Sequence, residues 1–162
     1  MTINLQFTLQ GQRALFNEWI VHADDGRPAS RAAMKPAQFL TELAYISILE
    51  QSPEGWRFRL SGSDIRRRLG REMKGRLISE IGSFAASPFW GQTLAQTVSS
   101  GEPMQGVNPL SRGRVHVWLR LPLVAHRGGP QVLCHDRFLT EAELSDALAD
   151  GSGPAGGFRK AA

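Results

Sequence analysis

The strongest local signals in this sequence lie in residues 56–76, which read WRFRLSGSDIRRRLGREMKGR. Aromatic and arginine residues alternate at its start, a pattern typical of a strand whose aromatic side chains face the core. Ser63 can cap a short helix that follows, and Gly70 can end that helix. The stretch therefore predicts a strand, a short helix and a glycine-containing loop, in that order.

The residues before this stretch predict two helices and one more strand. Residues 12–22 have an amphipathic pattern that predicts the first helix. Pro36 begins a second, short helix, since proline is favoured in a first helical turn, and its predicted apolar face consists of Phe39, Leu40 and Leu43. A change of residue type at 45–49 predicts a strand that pairs with residues 56–60 across a turn at 52–55.

The residues after this stretch predict a longer helix, three strands and a last helix. The helix begins at Pro88, and the strands follow at about 103–109, 114–124 and 131–138. Arg127-Gly128-Gly129-Pro130 is a strong hairpin signal between the last two strands, and Thr140 with Glu143 forms a capping box for the last helix. The predicted class is α+β: a five-stranded antiparallel sheet with helices on one face, plus an N-terminal amphipathic helix and a short C-terminal helix.

The predicted strand at 114–124 has two different faces. Valine and leucine occupy one face, whereas a histidine, a tryptophan and an arginine share the other. A tryptophan on an outer sheet face is costly to leave in water, so we expect the first helix or a second copy of the chain to cover it. The candidate dimer contact consists of Phe16, Trp19, His116, Trp118 and Arg120.

Several motifs resemble a known family. Residues 56–76 resemble the signature of an alphaproteobacterial PAS-like domain family of the PAS_5 type, formerly a domain of unknown function. Arg27-Pro28-Ala29-Ser30-Arg31 followed by Pro36 looks like the entry motif of that family, and Leu119-Arg120-Leu121-Pro122-Leu123 looks like its late strand. The resemblance covers about residues 12–138, and the chain is identified as a single-domain member.

The resemblance implies a sensory or protein-interaction module without enzymatic activity. Domains of this kind bind small ligands between sheet and helices and transmit signals through their flanking helices. A role in bacterial signalling, a homodimer and a signalling protein partner are therefore expected. The predicted organisation is an N-terminal helix and linker at 1–35, a PAS-like domain at 36–139, an acidic helix at 140–150 and a flexible tail at 151–162.

Apolar residues predicted to lie between sheet and helices are candidates for a ligand pocket: Phe58, Ile78, Phe89, Trp90, Val117 and Leu119. Few polar groups accompany them, so the ligand is expected to be small and largely apolar unless Arg57, Arg59 or Arg120 turns inward. A fully packed core explains the same residues equally, since any α+β domain needs apolar side chains at these spacings. Both interpretations stay open.

The positive charge of the chain is concentrated in one segment. The net charge is +4, yet residues 57–76 contain eight basic and two acidic residues and carry +6 on their own. A basic docking face is predicted at Arg66, Arg67, Arg68, Arg71, Lys74 and Arg76. Nucleic-acid binding through this segment is the alternative function, although no helix-turn-helix, RNP motif or zinc knuckle accompanies it. The acidic helix is a complementary surface, within one chain or across a dimer.

No catalytic, metal or cofactor site is indicated. Cys134, the only cysteine, falls on the last predicted strand, whereas the photoreactive cysteine of flavin-binding LOV domains lies in a helix, so flavin is disfavoured. His116 and His135 lie on strands outside the expected pocket, which disfavours haem. Spaced metal-ligand pairs and a nucleophile elbow are missing. An enzyme with an unrecognised site stays the remaining alternative.

The sequence also predicts where the protein resides. The N-terminus resembles neither a signal peptide nor a lipidation motif, and the longest apolar runs are far below the roughly 20 residues of a membrane span. A single cysteine fits a reducing compartment. We therefore expect a cytoplasmic protein without a membrane partner.

Overall fold

The computed structural model describes residues 9–81, 88–124 and 127–150, so the predicted tail at 151–162 lies outside the described residues. Three short 3-10 segments connect the main elements, at Arg31–Ala33, Pro36–Tyr45 and Ile78–Glu80. Within the described ranges, no helix is both long enough and apolar enough to cross a membrane. The main elements, in chain order, are α1 (Gln10–His22), β1 (Ile46–Ser52), β2 (Gly55–Ser61), α2 (Ser63–Leu69), α3 (Pro88–Ser100), β3 (Met104–Leu110), β4 (Arg114–Leu123), β5 (Gln131–Thr140) and α4 (Glu141–Asp150).

The five strands form one antiparallel sheet in the order β2-β1-β5-β4-β3. The β4–β5 hairpin is the longest pairing, and it sets Trp118 opposite Asp136 and Arg120 opposite Cys134. β1 lies between β2 and β5, so the first strand of the chain is internal and pairs with the last. The predicted α+β class and its five antiparallel strands are confirmed.

Both faces of the sheet are covered by apolar clusters. On one face, which we call the α1-side core, Trp19 packs with Leu121 of β4 and donates Nε1 to the Pro122 carbonyl over 2.7 Å. On the opposite face, which we call the α3-side core, Trp90 packs with Phe58 of β2. α4 covers the outer part of the first face through a small third cluster. The sheet is therefore a middle layer.

The expectation that α1 or a second copy covers the face carrying Trp118 is wrong. That face belongs to the α3 side, where Trp118 is buried and Phe89 of α3 meets its ring at a centroid distance of 5.1 Å. α1 lies on the leucine-rich face instead. The physical reason is that α1 has an aliphatic and aromatic stripe to bury, and the leucine-rich face of β4 offers it apolar contact, whereas the opposite face of β4 carries the buried charge of Arg120.

The Pro36–Tyr45 segment differs from its prediction. It is a 3-10 helix with non-helical backbone angles at Phe39 (φ −145°, ψ 40°), which is its one buried residue. Leu40 and Leu43, predicted on the same apolar face, are 64% and 37% exposed. A 3-10 helix with a kink does not keep the 3.6-residue period on which the prediction rests, so the three side chains diverge.

A glycine fixes the junction between this segment and α2. Gly62, rather than Ser63, is the residue that precedes the helix, and its N–H donates to the Ile46 carbonyl over 2.7 Å. A Cβ at Gly62 would lie 2.3 Å from the carbonyl oxygen of Leu43. Gly70 ends α2 in the left-handed conformation (φ 73°), as predicted. Close backbone contact therefore sets the position of α2.

Candidate functional site

Three polar side chains are buried together between the sheet and α3. Arg120 of β4 and Asp136 of β5 are fully buried, and His116 of β4 is 4% exposed. Arg120 Nη2 donates to Asp136 Oδ1 over 2.9 Å, and His116 Nε2 lies 2.6 Å from the same oxygen. We call these three residues the buried charge cluster.

The register of the β4–β5 hairpin assembles this cluster. Trp118 lies directly opposite Asp136, and alternate residues of a strand share a face, so His116 and Arg120 flank the carboxylate diagonally. Both have side chains long enough to reach across to the neighbouring strand. The cluster could have been found from the sequence by counting outward from the hairpin turn and pairing the residues of each strand.

Aromatic rings surround the cluster. The Arg120 guanidinium lies 4.6 Å from the centroid of the Trp90 ring and 5.5 Å from that of Trp118. The His116 ring stacks on Phe138 at 4.5 Å, with 11° between the planes. Since Trp90 belongs to α3, its contact with the Arg120 guanidinium joins this helix to the buried charge cluster.

The electrostatics favour the ionic form of the pair. Burial alone would raise the pKa of Asp136, but the Arg120 guanidinium and the hydrogen bond from His116 hold this pKa below its usual value. Burial opposes the charge on Arg120 as well, yet the nearby Asp136 carboxylate keeps the pKa of Arg120 raised. Burial raises the pKa of the neighbouring Cys134 thiol to about 12, so this cysteine is neutral and unreactive at neutral pH.

Two polar atoms of the cluster lack partners within the described part of the chain. Arg120 donates from Nη1 to the Leu119 carbonyl over 3.0 Å, but its Nε is buried and unbonded. Asp136 Oδ2 is likewise buried and accepts no hydrogen bond. One donor and one acceptor without a partner among the described residues therefore lie on adjacent, fully buried charged groups.

The predicted pocket residues are divided between the two sides of the sheet. Leu119 packs in the α1-side core and Val117 in the cluster under α4, because both alternate along β4 with the residues of the charge cluster. The remaining four lie in or against the α3-side core: Phe58, Ile78, Phe89 and Trp90. Ligand binding by these four stays a prediction.

The residues predicted for a dimer contact are all buried within one chain. They also lie on opposite sides of the sheet, so they form no common surface. Two are in the α1-side core, and three lie under α3. The predicted contact is therefore wrong: Phe16, Trp19, His116, Trp118 and Arg120 are interior residues of the monomer.

Ion pairs within the chain partly neutralise the basic segment. Five of its eight basic side chains bind carboxylates, and two of them, Arg67 and Arg68, share Asp64. A sixth, Arg71, donates to the Glu80 carbonyl over 2.7 Å. The members of the predicted docking face without a bound carboxylate among the described residues are Arg71, Lys74 and Arg76.

A second buried histidine lies on the α1 side of the sheet. His135 Nε2 lies 2.7 Å from Glu42 Oε2, and this hydrogen bond is the main reason that the pKa of Glu42 is lowered. The Glu42 carboxyl faces Gly11 of α1, where a Cβ would lie 2.1 Å from Cδ of Glu42. No local sequence pattern marks this pair, because 93 residues separate its members. Among the described residues, no group of three or more potential metal ligands is present.

Known proteins resemble this chain in sequence pattern and in fold. A family model described as PAS domain matches residues 8–110. A domain of an HTR-like protein from Haloarcula marismortui ATCC 43049 superposes with a TM-score of 0.50 at 17% identity, covering 59% of this chain and 96% of that one. The light-state structure of the blue-light photoreceptor Aureochrome1 LOV superposes with a TM-score of 0.43 at 10% identity, covering 70% of this chain and 94% of that one. The structure of an RNA-binding light-oxygen-voltage receptor superposes with a TM-score of 0.43 at 14% identity, covering 80% of this chain and 40% of that one. No curated protein matches.

Proposed function

Because the chain belongs to the PAS domain family, we propose that it is a sensory and regulatory module acting through a small ligand, a protein partner or both in bacterial signalling. The observation that carries this proposal is the buried charge cluster between the sheet and α3. Burying a charged pair is expensive, and an apolar pair of similar volume often gives a core at least as stable. A charged core under a helix is therefore better suited to sensing than to stability.

The free donor on Arg120 and the free acceptor on Asp136 indicate the chemistry of the ligand. Because Arg120 turns inward, the expectation of a largely apolar ligand changes to one that carries both an acceptor and a donor. Such a molecule binds one arrangement of Trp90 and α3 better than another, and it shifts the populations of the two by that difference in affinity. A partner protein then recognises the altered surface.

We propose further that the module has no enzymatic activity, works in the cytoplasm and forms a homodimer. Membership of the PAS family supports a sensory rather than a catalytic role. The dimer contact must use residues other than the five interior ones. Nucleic-acid binding through residues 57–76 is the weaker alternative, because most of these basic side chains already bind carboxylates within the chain.

Native mass spectrometry of the purified full chain tests this proposal. We expect the wild-type protein to retain a small molecule and to show a dimer mass. Arg120→Met should release the molecule, whereas Arg71→Met, an exposed matched control, should retain it. Circular dichroism shows whether each variant is folded.

Two outcomes would contradict the proposal. The first is a folded wild-type protein that carries no added mass and gains no thermal stability from a panel of small polar metabolites. The second is retention of the same molecule by folded Arg120→Met. A gel-shift series at low salt, with affinity that falls steeply as salt rises, would favour the nucleic-acid alternative instead.

A further inference from the structure

The two edges of the sheet differ in how they are covered. β2, at one edge, is paired on its outer side: the Phe58 N–H donates to the Arg76 carbonyl over 2.9 Å, and the Phe58 carbonyl accepts from the Gly75 N–H over 2.7 Å. β3, at the other edge, pairs with β4, and among the described residues nothing pairs with its outer side. An open edge of this kind is a template for a further strand.

β3 has few of the features that keep an edge strand from pairing. Its sequence, MQGVNPL, contains no charged residue, whereas β2 contains two arginines. β3 is aligned with β4 along its whole length without a bulge, so the strand is regular. Val107 and Leu110 are each 41% exposed. Pro109 is the exception, and proline fits an edge strand where its missing N–H would face outward.

The register of the sheet shows which backbone groups of β3 face outward. Ile46 bonds toward β2, because its carbonyl accepts from the N–H of the residue that follows β2. Its partner on β5, His135, therefore bonds toward β4, as does Arg137 two residues later. Arg137 lies opposite Val117, which consequently bonds toward β5. Val107 lies opposite Val117, so its N–H and C=O are directed away from the sheet.

We propose that β3 pairs with β3 of a second copy of this chain, antiparallel and about a two-fold axis at Val107, so that two five-stranded sheets become one continuous sheet. This inference rests on the homodimer proposed above and names its contact surface. The two Val107 residues exchange both backbone hydrogen bonds, and Pro109 contributes only its carbonyl. Met104 of each copy lies opposite Leu110 of the other, which covers part of the exposed leucine.

The charges beside β3 favour a second copy over a different partner. Glu102 precedes the strand by two residues, and Arg112 follows it by two. Neither forms an ion pair within the described part of the chain. Antiparallel pairing brings each Glu102 close to Arg112 of the other copy, so opposite charges meet at both ends of the contact. A two-fold contact needs such self-complementarity, because the same surface serves both copies.

Sedimentation of the full chain over a range of concentrations tests this contact. We expect the wild type to be a dimer. Val107→Lys brings two like charges together at the axis and should raise the dissociation constant of the dimer roughly 10-fold or more. Val21→Lys, at an exposed valine of α1, is the matched control and should leave the dissociation constant unchanged. Circular dichroism shows that each variant is folded.

A charge exchange tests the antiparallel arrangement. Glu102→Arg and Arg112→Glu should each weaken the dimer roughly 3- to 30-fold, because each change turns two attractive pairs into repulsive ones. The double variant Glu102→Arg/Arg112→Glu should recover the wild-type affinity. A double variant that is at least as weak as either single one would contradict the arrangement.

The outcomes separate this contact from the homodimer itself. A dimer that persists in folded Val107→Lys would overturn the contact at β3 but leave the homodimer, whereas a wild type that is monomeric at every concentration would overturn both. Hydrogen exchange at the Val107 amide is a second measurement, expected to be slow in the dimer and fast in the diluted monomer. Slow exchange in the monomer would mean that another segment of the same chain covers β3, which also overturns the contact.

Discussion

Arg120 and Asp136 show how a charge can be kept inside a small domain. Two tryptophan rings lie close to the guanidinium, the carboxylate accepts from two donors, and neither group reaches water. The attraction between the two charges is strong because the surroundings are apolar, but the loss of hydration nearly cancels it. The pair therefore contributes little net stability, and loss of one member is the costly event.

Substitutions at this pair should be strongly non-additive. Asp136→Leu leaves an unpaired buried guanidinium, and we expect it to lower the free energy of unfolding by about 3–5 kcal/mol. The double variant Arg120→Met/Asp136→Leu should recover most of this loss, because two apolar side chains replace the pair. Urea unfolding measures both, with exposed Lys74→Ala as the control, expected within about 0.5 kcal/mol of wild type. Additive losses would show that the pairing is unimportant.

Glu50 gives the stability of the protein a defined pH dependence. Its hydrogen bond from Arg59, helped by that from Gln131, lowers its pKa despite burial. A lowered folded-state pKa stabilises the fold above the unfolded-state value of about 4.3, and this stabilisation is lost as the pH falls through the folded-state pKa.

The matched variants are Glu50→Gln and Arg59→Gln. Each should be less stable than the wild type at pH 7, and the difference should shrink as the pH falls below about 5, since only the wild type has this stabilisation to lose. Urea unfolding at a series of pH values measures the difference. A gap that stays constant from neutral to acidic pH would contradict the role of the ionised carboxylate.

At the level of elements, the sequence predicted correctly those features whose interacting residues are neighbours in the chain. The capping box of α4 forms as predicted, with Thr140 N–H donating to Glu143 over 2.7 Å and Glu143 N–H donating back to the Thr140 hydroxyl over 3.1 Å. Pro36 also begins a helix as predicted, but the kink at Phe39 depends on packing under α1, which no local pattern contains. Propensity and periodicity therefore predict where an element begins better than which face it buries.

Two glycine substitutions should separate close contact from helix propensity. Gly62→Ala forces a methyl group against the Leu43 and Ala44 carbonyls, and we expect a loss of about 1–3 kcal/mol. Gly91→Ala in α3 meets no atom within 4 Å and should gain about 0.5–1 kcal/mol, because alanine favours the helix. Thermal unfolding of both variants measures the contrast. Equal changes in stability would show that the Leu43 and Ala44 carbonyls leave room for a methyl group at Gly62.

For the whole molecule, the sequence predicted one sheet but not the assignment of its faces. Both faces of β4 carry large side chains, so hydrophobicity alone does not say which helix covers which. The buried charge cluster needed the hairpin register, and the Glu42–His135 pair needed contact between distant segments. Both depend on tertiary structure, because each pair joins residues that no local sequence pattern connects.

Trp19 and Trp118 are predicted to be stability residues rather than contact residues. Each is buried in a different core, so Trp19→Asp or Trp118→Asp should lose at least about 3–5 kcal/mol and unfold. Val21→Asp on the exposed side of α1 is the control and should stay folded. Circular dichroism with light scattering distinguishes the outcomes. A folded Trp118→Asp variant with half the wild-type mass would instead support the original prediction that Trp118 lies in a dimer contact.

His135 and Asp136 are consecutive on β5, yet one faces the α1 side and binds Glu42, and the other faces the α3 side and binds Arg120. In evolutionary terms, this alternation makes β5 intolerant of changes in length. Deleting or duplicating a single codon in the first half of the strand would exchange the two faces and bring each side chain to the wrong partner. Related chains that keep both pairs should therefore vary freely in their loops while preserving the residue count from the hairpin turn to Asp136.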